Sequence, residues 1–110
     1  MDSIKSTVTL SNGLALPRVG LGVFQVDKED DLRRSVQAAL QAGYIHIDTA
    51  AAYENEDMVG RAVREYGNRD NVFITSKLKN DQQAEAEKAC KQSLERLGMD
   101  HLDLYLIHWP

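Results

Sequence analysis

Apolar positions change their period repeatedly along this chain, and each change marks a predicted element. Thr7-Val8-Thr9-Leu10, Ser11-Asn12-Gly13 and Leu14-Ala15-Leu16 read as a short β-hairpin turning at Asn-Gly and ended by Pro17. Val19 to Phe24 follows as a strand whose Gly20 and Gly22 suit close backbone approach. Asp27 is placed to cap a helix, with Asp30 and Asp31 near its positive end. Leu32, Val36, Ala39 and Leu40 then recur at helical spacing until Gly43 supplies a stop.

The same alternation returns twice more. Tyr44 to Asp48 predicts a second strand, and Val59, Ala62, Val63 and Tyr66 line a helix closed by Gly67, with Glu54, Glu56 and Asp57 as its acidic first turn. Val72 to Ser76 is a third strand, Ala86, Cys90, Leu94 and Leu97 a third helical stripe stopped by Gly98, and Leu102 to Ile107 a fourth strand. Strands alternating with helices imply parallel pairing through right-handed crossovers, an α/β fold. Four strands could open a doubly wound sheet or make half of an eight-stranded barrel. A barrel of that kind takes about 250 residues, so 110 would supply half. Gly20-Leu21-Gly22 lacks the third glycine and the immediate helix of a dinucleotide fingerprint. No linker or composition shift divides the chain, so residues 1–110 are expected to form one domain.

Composition narrows the function classes. Net charge is −4, which leaves no basic footprint for nucleic acid or anionic membrane. No apolar run nears the roughly 18 residues that span a bilayer. The opening Met-Asp-Ser-Ile-Lys-Ser lacks the apolar stretch of a secretory signal, and a single cysteine, Cys90, rules out an internal disulfide. A soluble cytoplasmic protein, with neither nucleic acid nor membrane as partner, is the expectation.

Strand parity carries the chemistry. His46 and Asp48 share one face of the second strand, Phe73, Thr75 and Lys77 one face of the third, and Leu104, Leu106 and His108 one face of the fourth. If those faces all point inward, Asp48, Lys77 and His108 meet at the carboxyl end of the sheet, where parallel α/β proteins hold their sites, and Tyr53 reaches in from the following loop. A tyrosine hydroxyl titrates near pH 10 in water, and an ammonium within a few ångström favours its phenolate. Asp48 can keep Lys77 charged and oriented, and His108 can hydrogen-bond a substrate oxygen. Such a set suits proton delivery to a carbonyl oxygen becoming an alkoxide. It offers no nucleophile, and no close spacing of Cys or His suggests a metal. Taken singly, each residue has a plainer role: a loop cap for Asp48, a solvated charge for Lys77, a surface packer for Tyr53. His46 reads as a hydrogen-bonded core residue, His101 as solvent-facing and Cys90 as part of an apolar stripe.

Three segments together resemble the aldo-keto reductase family: Gly43-Tyr-Ile-His-Ile-Asp-Thr-Ala-Ala-Ala-Tyr53-Glu-Asn-Glu, Val72-Phe-Ile-Thr-Ser-Lys-Leu, and Leu102-Asp-Leu-Tyr-Leu-Ile-His-Trp-Pro110. The likeness covers the whole chain and is greatest to bacterial diketogluconate-reductase-like and glyoxal-reductase-like members. It implies a TIM-type (β/α)8 barrel that reduces aldehydes and ketones with NADPH, of which about the first four βα units are present, preceded by a hairpin that plugs the barrel bottom. By the same resemblance Tyr53 is the proton donor, Lys77 and Asp48 tune it, and His108 orients the carbonyl. Gly22, Val23 and Asp48 would lie against the nicotinamide and its ribose, and Phe24, His108 and Trp109 against the substrate.

Two departures qualify that implication. Lys79 stands where the family usually has an aromatic, which would make the pocket mouth more polar. The groups that in the family hold the carboxamide, stack on the nicotinamide and bind the 2′-phosphate belong to a second half, and the chain stops two residues after His108. Three readings follow: a carbonyl reductase represented by its amino-terminal half, a non-catalytic half-barrel associating through open strand edges with itself or a complementary half, or a reductase-like subunit that senses cofactor. On the first reading the 110 residues alone are expected to be inactive or nearly so.

Overall fold

An antiparallel hairpin of β1 (Thr7–Thr9) and β2 (Ala15–Pro17) leads the chain in a computed structural model that describes residues 3–109. Its connection differs from the expected two-residue Asn-Gly turn. Leu10 N–H donates to Leu14 O (2.8 Å) and Gly13 N–H to Leu10 O (2.9 Å), closing a three-residue loop. Gly13 alone of the pair has positive φ (+86°), so the turn has the bulged geometry rather than the mirror-image one. Pro17, opposite Thr7, is the last residue of β2 and ends the hairpin as expected.

Four parallel strands follow: β3 (Leu21–Gly22), β4 (His46–Asp48), β5 (Phe73–Leu78) and β6 (Leu104–Ile107). Their order in the sheet is β3-β4-β5-β6, the order of the chain. A doubly wound sheet reverses direction at a switch point; this one adds each strand to the same edge, as a barrel wall does. The connecting helices are α1 (Glu29–Gln41), α2 (Glu56–Tyr66) and α3 (Ala86–Leu97). Val23, Ile47, Val72 and Ile74 from the strand side bury themselves against Leu32, Val36, Leu40, Val59, Ala62, Val63 and Leu97 from the helices. That apolar layer, worth about 25 cal/mol per Å² removed from water, is what holds strands to helices. Among the described residues no helix is long and apolar enough to cross a membrane.

Local signals explain most boundaries. α1 ends in a Schellman motif, in which Tyr44 N–H reaches Ala39 O and Gly43 N–H reaches Leu40 O, with Gly43 at φ +103°. At the other end, the helix starts one residue later than Asp27 predicts: Lys28 occupies the cap position and makes no side-chain bond there. Glu29, Asp30 and Asp31 still place negative charge in its first turn. The third strand runs on through Lys77 and Leu78, beyond the expected Ser76.

The third helix corrects part of the expected stripe. Leu97 is buried as expected, but its buried companions are Ala89 and Ser93 rather than Ala86, Cys90 and Leu94; Ala86 is exposed, and Cys90 and Leu94 are half-buried. The cause is the contact with α2. A side chain at Gly60 would collide with the backbone of Leu97, so the two helices cross closely there and α3 turns its small residues inward. Arg64 of α2 donates to Leu97 O, satisfying a carbonyl at the end of α3.

Candidate active site

The parallel register aligns the predicted positions across the sheet. Gly22 pairs with Asp48, Asp48 with Thr75, and Lys77 with Leu106. The face opposite the helices therefore carries His46, Asp48, Phe73, Thr75, Lys77, Leu104 and Leu106. Lower on that face, His46 packs edge-on against Phe73, and its Nε2 lies 2.8 Å from Thr75 Oγ1. Its Nδ1 faces Pro17 O at 3.4 Å, a long bond to the hairpin. Nδ1–H donating and Nε2 accepting describe a neutral ring, and burial pushes the His46 imidazole below its usual value. This is the hydrogen-bonded core histidine that the pattern suggests.

At the carboxyl ends the polar groups gather. Lys77 Nζ donates to Asp48 Oδ1 (2.8 Å) and to Thr49 O (2.9 Å). The lysine side chain is 14% exposed and the aspartate 34%, so the pair is shielded on one flank and open on the other. Tyr53 closes a single 3₁₀ turn, Ala51–Tyr53, and Glu54 at φ +58° then swings the chain into α2. That turn brings the Tyr53 ring centroid within 5.1 Å of Lys77 Nζ. On its other sides the ring meets Phe24 (5.2 Å between centroids) and the edge of His108 (5.5 Å). His108 lies parallel to Trp109 at 5.4 Å, and its Nδ1 is buried without a partner among the described residues. Asp48, Tyr53, Lys77, His108, Phe24 and Trp109 thus form one contiguous cluster.

The remaining predicted residues divide. Gly22 lies beside Asp48, with open space where a side chain would project. Val23 does not face that space: its side chain is fully buried in the core and its N–H donates to Asp48 O. Any contribution it makes to the mouth passes through its neighbours Gly22 and Phe24. Lys79 leaves the strand and lines a separate cleft of about 360 Å³ with Ala51, Glu54, Glu56, Asp57, Gln82 and Arg96, away from the predicted mouth. Its chain has already turned out of β5, so strand parity no longer applies.

Two buried polar residues are absent from the predicted set. Glu56, expected among solvated first-turn charges, is 1% exposed; it accepts from Ser76 Oγ (2.6 Å) and Arg96 Nε (2.7 Å). Asn55, also 1% exposed, bonds Thr49 and two backbone carbonyls of the β3–α1 loop. Both stand where local pattern reads helix start, and only the partners, from 6 to 40 residues away, reveal the burial.

A singly wound parallel sheet with its polar cluster at the carboxyl ends is part of a (β/α)8-barrel protein. More narrowly, the chain belongs to the aldo/keto reductase family, whose pattern matches residues 18–110. It is 50% identical over 110 residues to the glycerol 2-dehydrogenase (NADP(+)) of Saccharomyces cerevisiae, covering 99% of this chain and 35% of that protein. It is also 50% identical over 111 residues to the glyoxal reductase of Bacillus subtilis, covering 98% and 40%. The crystal structure of a Bombyx mori aldo-keto reductase in complex with NADP matches with TM-score 0.87 and 39% identity over 94% of this chain and 38% of that one. The chain thus spans well under half the length of these relatives.

Proposed function

We propose that these residues are the proton-donating part of an NADPH-dependent reductase of aldehydes and ketones. The observation that carries the reading is Lys77 Nζ, shared between Asp48 and Thr49 and 5.1 Å from the Tyr53 ring. Asp48 and the Thr49 carbonyl keep the ammonium charged and aimed. The ammonium stabilises the phenolate left when the Tyr53 hydroxyl gives its proton to the carbonyl oxygen. His108 meets the Tyr53 ring from the other side. A buried N–H without an acceptor is rarer than a buried lone pair, which favours the tautomer with its proton on Nε2, a donor for the same oxygen. Phe24 and Trp109 supply apolar walls.

The residues present fit the nicotinamide end of the cofactor. Gly22 leaves a flat, open floor, and the partly exposed Asp48 carboxylate beside it can accept from a ribose hydroxyl. When bound, NADPH supplies the hydride for the carbonyl carbon. Purified protein given NADPH and a reactive aldehyde should consume NADPH only weakly, as expected of these 110 residues alone, and that turnover should be lost about 100-fold or more in Tyr53→Phe, the scale of general acid catalysis. Retention of the full rate by Tyr53→Phe would sink the assignment.

One feature favours a second reading, a half-barrel that associates with its own copy or a complementary half. β6 pairs only with β5 among the described strands, and Leu106, Ile107 and Trp109 are 40, 61 and 60% exposed. Sedimentation at micromolar concentration distinguishes the two: a compact monomer removes the second.

A further inference from the structure

Asn55 sits at the cap position of α2, yet it makes no side-chain cap bond to its own helix. An asparagine there ordinarily accepts from the helix's free N–H groups. Here the whole amide is turned elsewhere. Nδ2 donates to Val23 O (2.9 Å) and to Val26 O (3.0 Å), while Oδ1 accepts from Thr49 Oγ1 (2.8 Å). All three bonds are buried or nearly so, and the residue is 1% exposed.

The partners belong to the two loops that frame the mouth. Val23 and Val26 bracket Phe24, whose ring faces Tyr53, and Val23 follows Gly22. Gln25 between them has positive φ (+65°), an unfavourable conformation for a side chain with no short polar group to compensate. That loop is thus held in a strained shape by one bond of its own, Val26 N–H to Val23 O (3.1 Å), and by the two from Asn55. Thr49, on the other loop, gives its carbonyl to Lys77 Nζ. One amide therefore grips the loop that follows Gly22 and carries Phe24 with one end and the residue supporting Lys77 with the other.

We propose that Asn55 is a positioning residue that locks the β3–α1 loop to the β4–α2 loop and so fixes the floor and aromatic wall of the mouth. The assignment of that mouth to NADPH and a carbonyl substrate rests on the function proposed above; the lock itself does not. Two donors and one acceptor at fixed positions are required, which an amide supplies and a carboxylate or hydroxyl does not.

Asn55→Asp separates this role from a general structural one. It keeps the size and the capacity to cap a helix, and it can still accept from Thr49, but its carboxylate repels both carbonyls. Hydrogen exchange on the protein without cofactor should show the amides of Val23 and Val26, which donate to Asp48 O and Val23 O, exchanging about tenfold faster or more at neutral pH, because the loop that carries them opens more readily once Asn55 no longer holds its two carbonyls. Amides of α2 and of β5 should be unchanged. Lowering the pH, which returns a proton to the introduced carboxyl, should restore part of the protection. With NADPH and aldehyde, KM should rise about tenfold with kcat changed far less, since the proton-donating group is untouched. Asn55→Ser, a good cap with neither charge nor bulk, gives the same comparison if Asn55→Asp fails to fold.

Wild-type exchange at Val23 and Val26 in either folded variant, or an acceleration spread evenly over sheet and helices, would overturn the proposal. A wild-type rate of NADPH consumption in Tyr53→Phe would instead remove the reductase reading and leave the exchange result to decide the lock.

Discussion

Ser76 and Tyr105 are direct neighbours, paired in register on adjacent strands and both turned toward the helices, yet they live in different worlds. Ser76 is fully buried and its hydroxyl donates to Glu56 at 2.6 Å. Tyr105 is half-buried; its hydroxyl is enclosed with no partner at hydrogen-bonding geometry among the described residues, and burial pushes the phenol up against the opposing pull of the nearby Ser93 hydroxyl. The contrast extends along both strands. β5 is buried at every position but Lys77, whereas β6 has no buried residue. Asp48, Tyr53 and Lys77 come from the well-packed side, and His108 and Trp109 from the sparse one. The parts of the cluster that tune a proton are thus more firmly held by this segment than the parts that orient an oxygen.

Mutations can test that division, beginning where the effect is largest. Ile47→Ala, at a fully buried site under α1 and α2, should cost about 3–4 kcal/mol in denaturant unfolding. Ile107→Ala, at a residue 61% exposed, should stay within about 0.5 kcal/mol. Equal losses at the two sites would erase the distinction. Next, Ser76→Ala should cost about 2 kcal/mol by leaving the buried Glu56 carboxylate short of a donor, while Tyr105→Phe should be neutral or stabilising because it removes an unpaired hydroxyl. A Tyr105→Phe variant that unfolds as readily as Ser76→Ala would show that the phenol is satisfied after all.

A pH effect follows from His46. Its folded pKa lies below the ordinary 6.5 because burial disfavours the charged ring, so the unfolded chain binds the proton more readily. This contribution is complete above pH 6.5 and is lost as pH falls from there toward the depressed folded value. Unfolding of wild type and His46→Gln measured from pH 7.5 down to about 5 should show a loss specific to the wild type; parallel curves would assign the effect elsewhere. The smallest change is expected for Glu29→Gln. It breaks an exposed two-bond contact with Arg61 (2.7 and 2.8 Å), and its already small effect on thermal unfolding should vanish in high salt.

Legibility in the sequence followed the range of the interactions. Period two in Tyr44–Asp48 and Val72–Ser76 located both central strands, and parity alone put Asp48 beside Lys77, because alternation is a property of the strand itself. Gly43 and Gly98 marked helix ends for equally local reasons. What parity cannot see is where a strand stops: Lys79 obeys the alternation on paper and leaves it in space. Nor does a helical stripe reveal its phase when two faces are weakly apolar. Ala89 and Ser93 joined the expected Leu97 in place of Ala86, Cys90 and Leu94 through the crossing at Gly60, an event between helices. Asn55 and Glu56 were illegible for the same reason, since acidic and amide side chains at a helix start have an adequate solvated role.

The sheet order equals the chain order, and this bears on how the molecule is made. Leu21 pairs with Ile47, Ile47 with Ile74, and Ser76 with Tyr105, so each strand's partner lies about thirty residues upstream and has already been synthesised. Among the described strands, none waits for one made later in order to fill a gap between its predecessors. Growth from the ribosome can therefore proceed by addition at one border, each step closing a loop of similar, modest entropy.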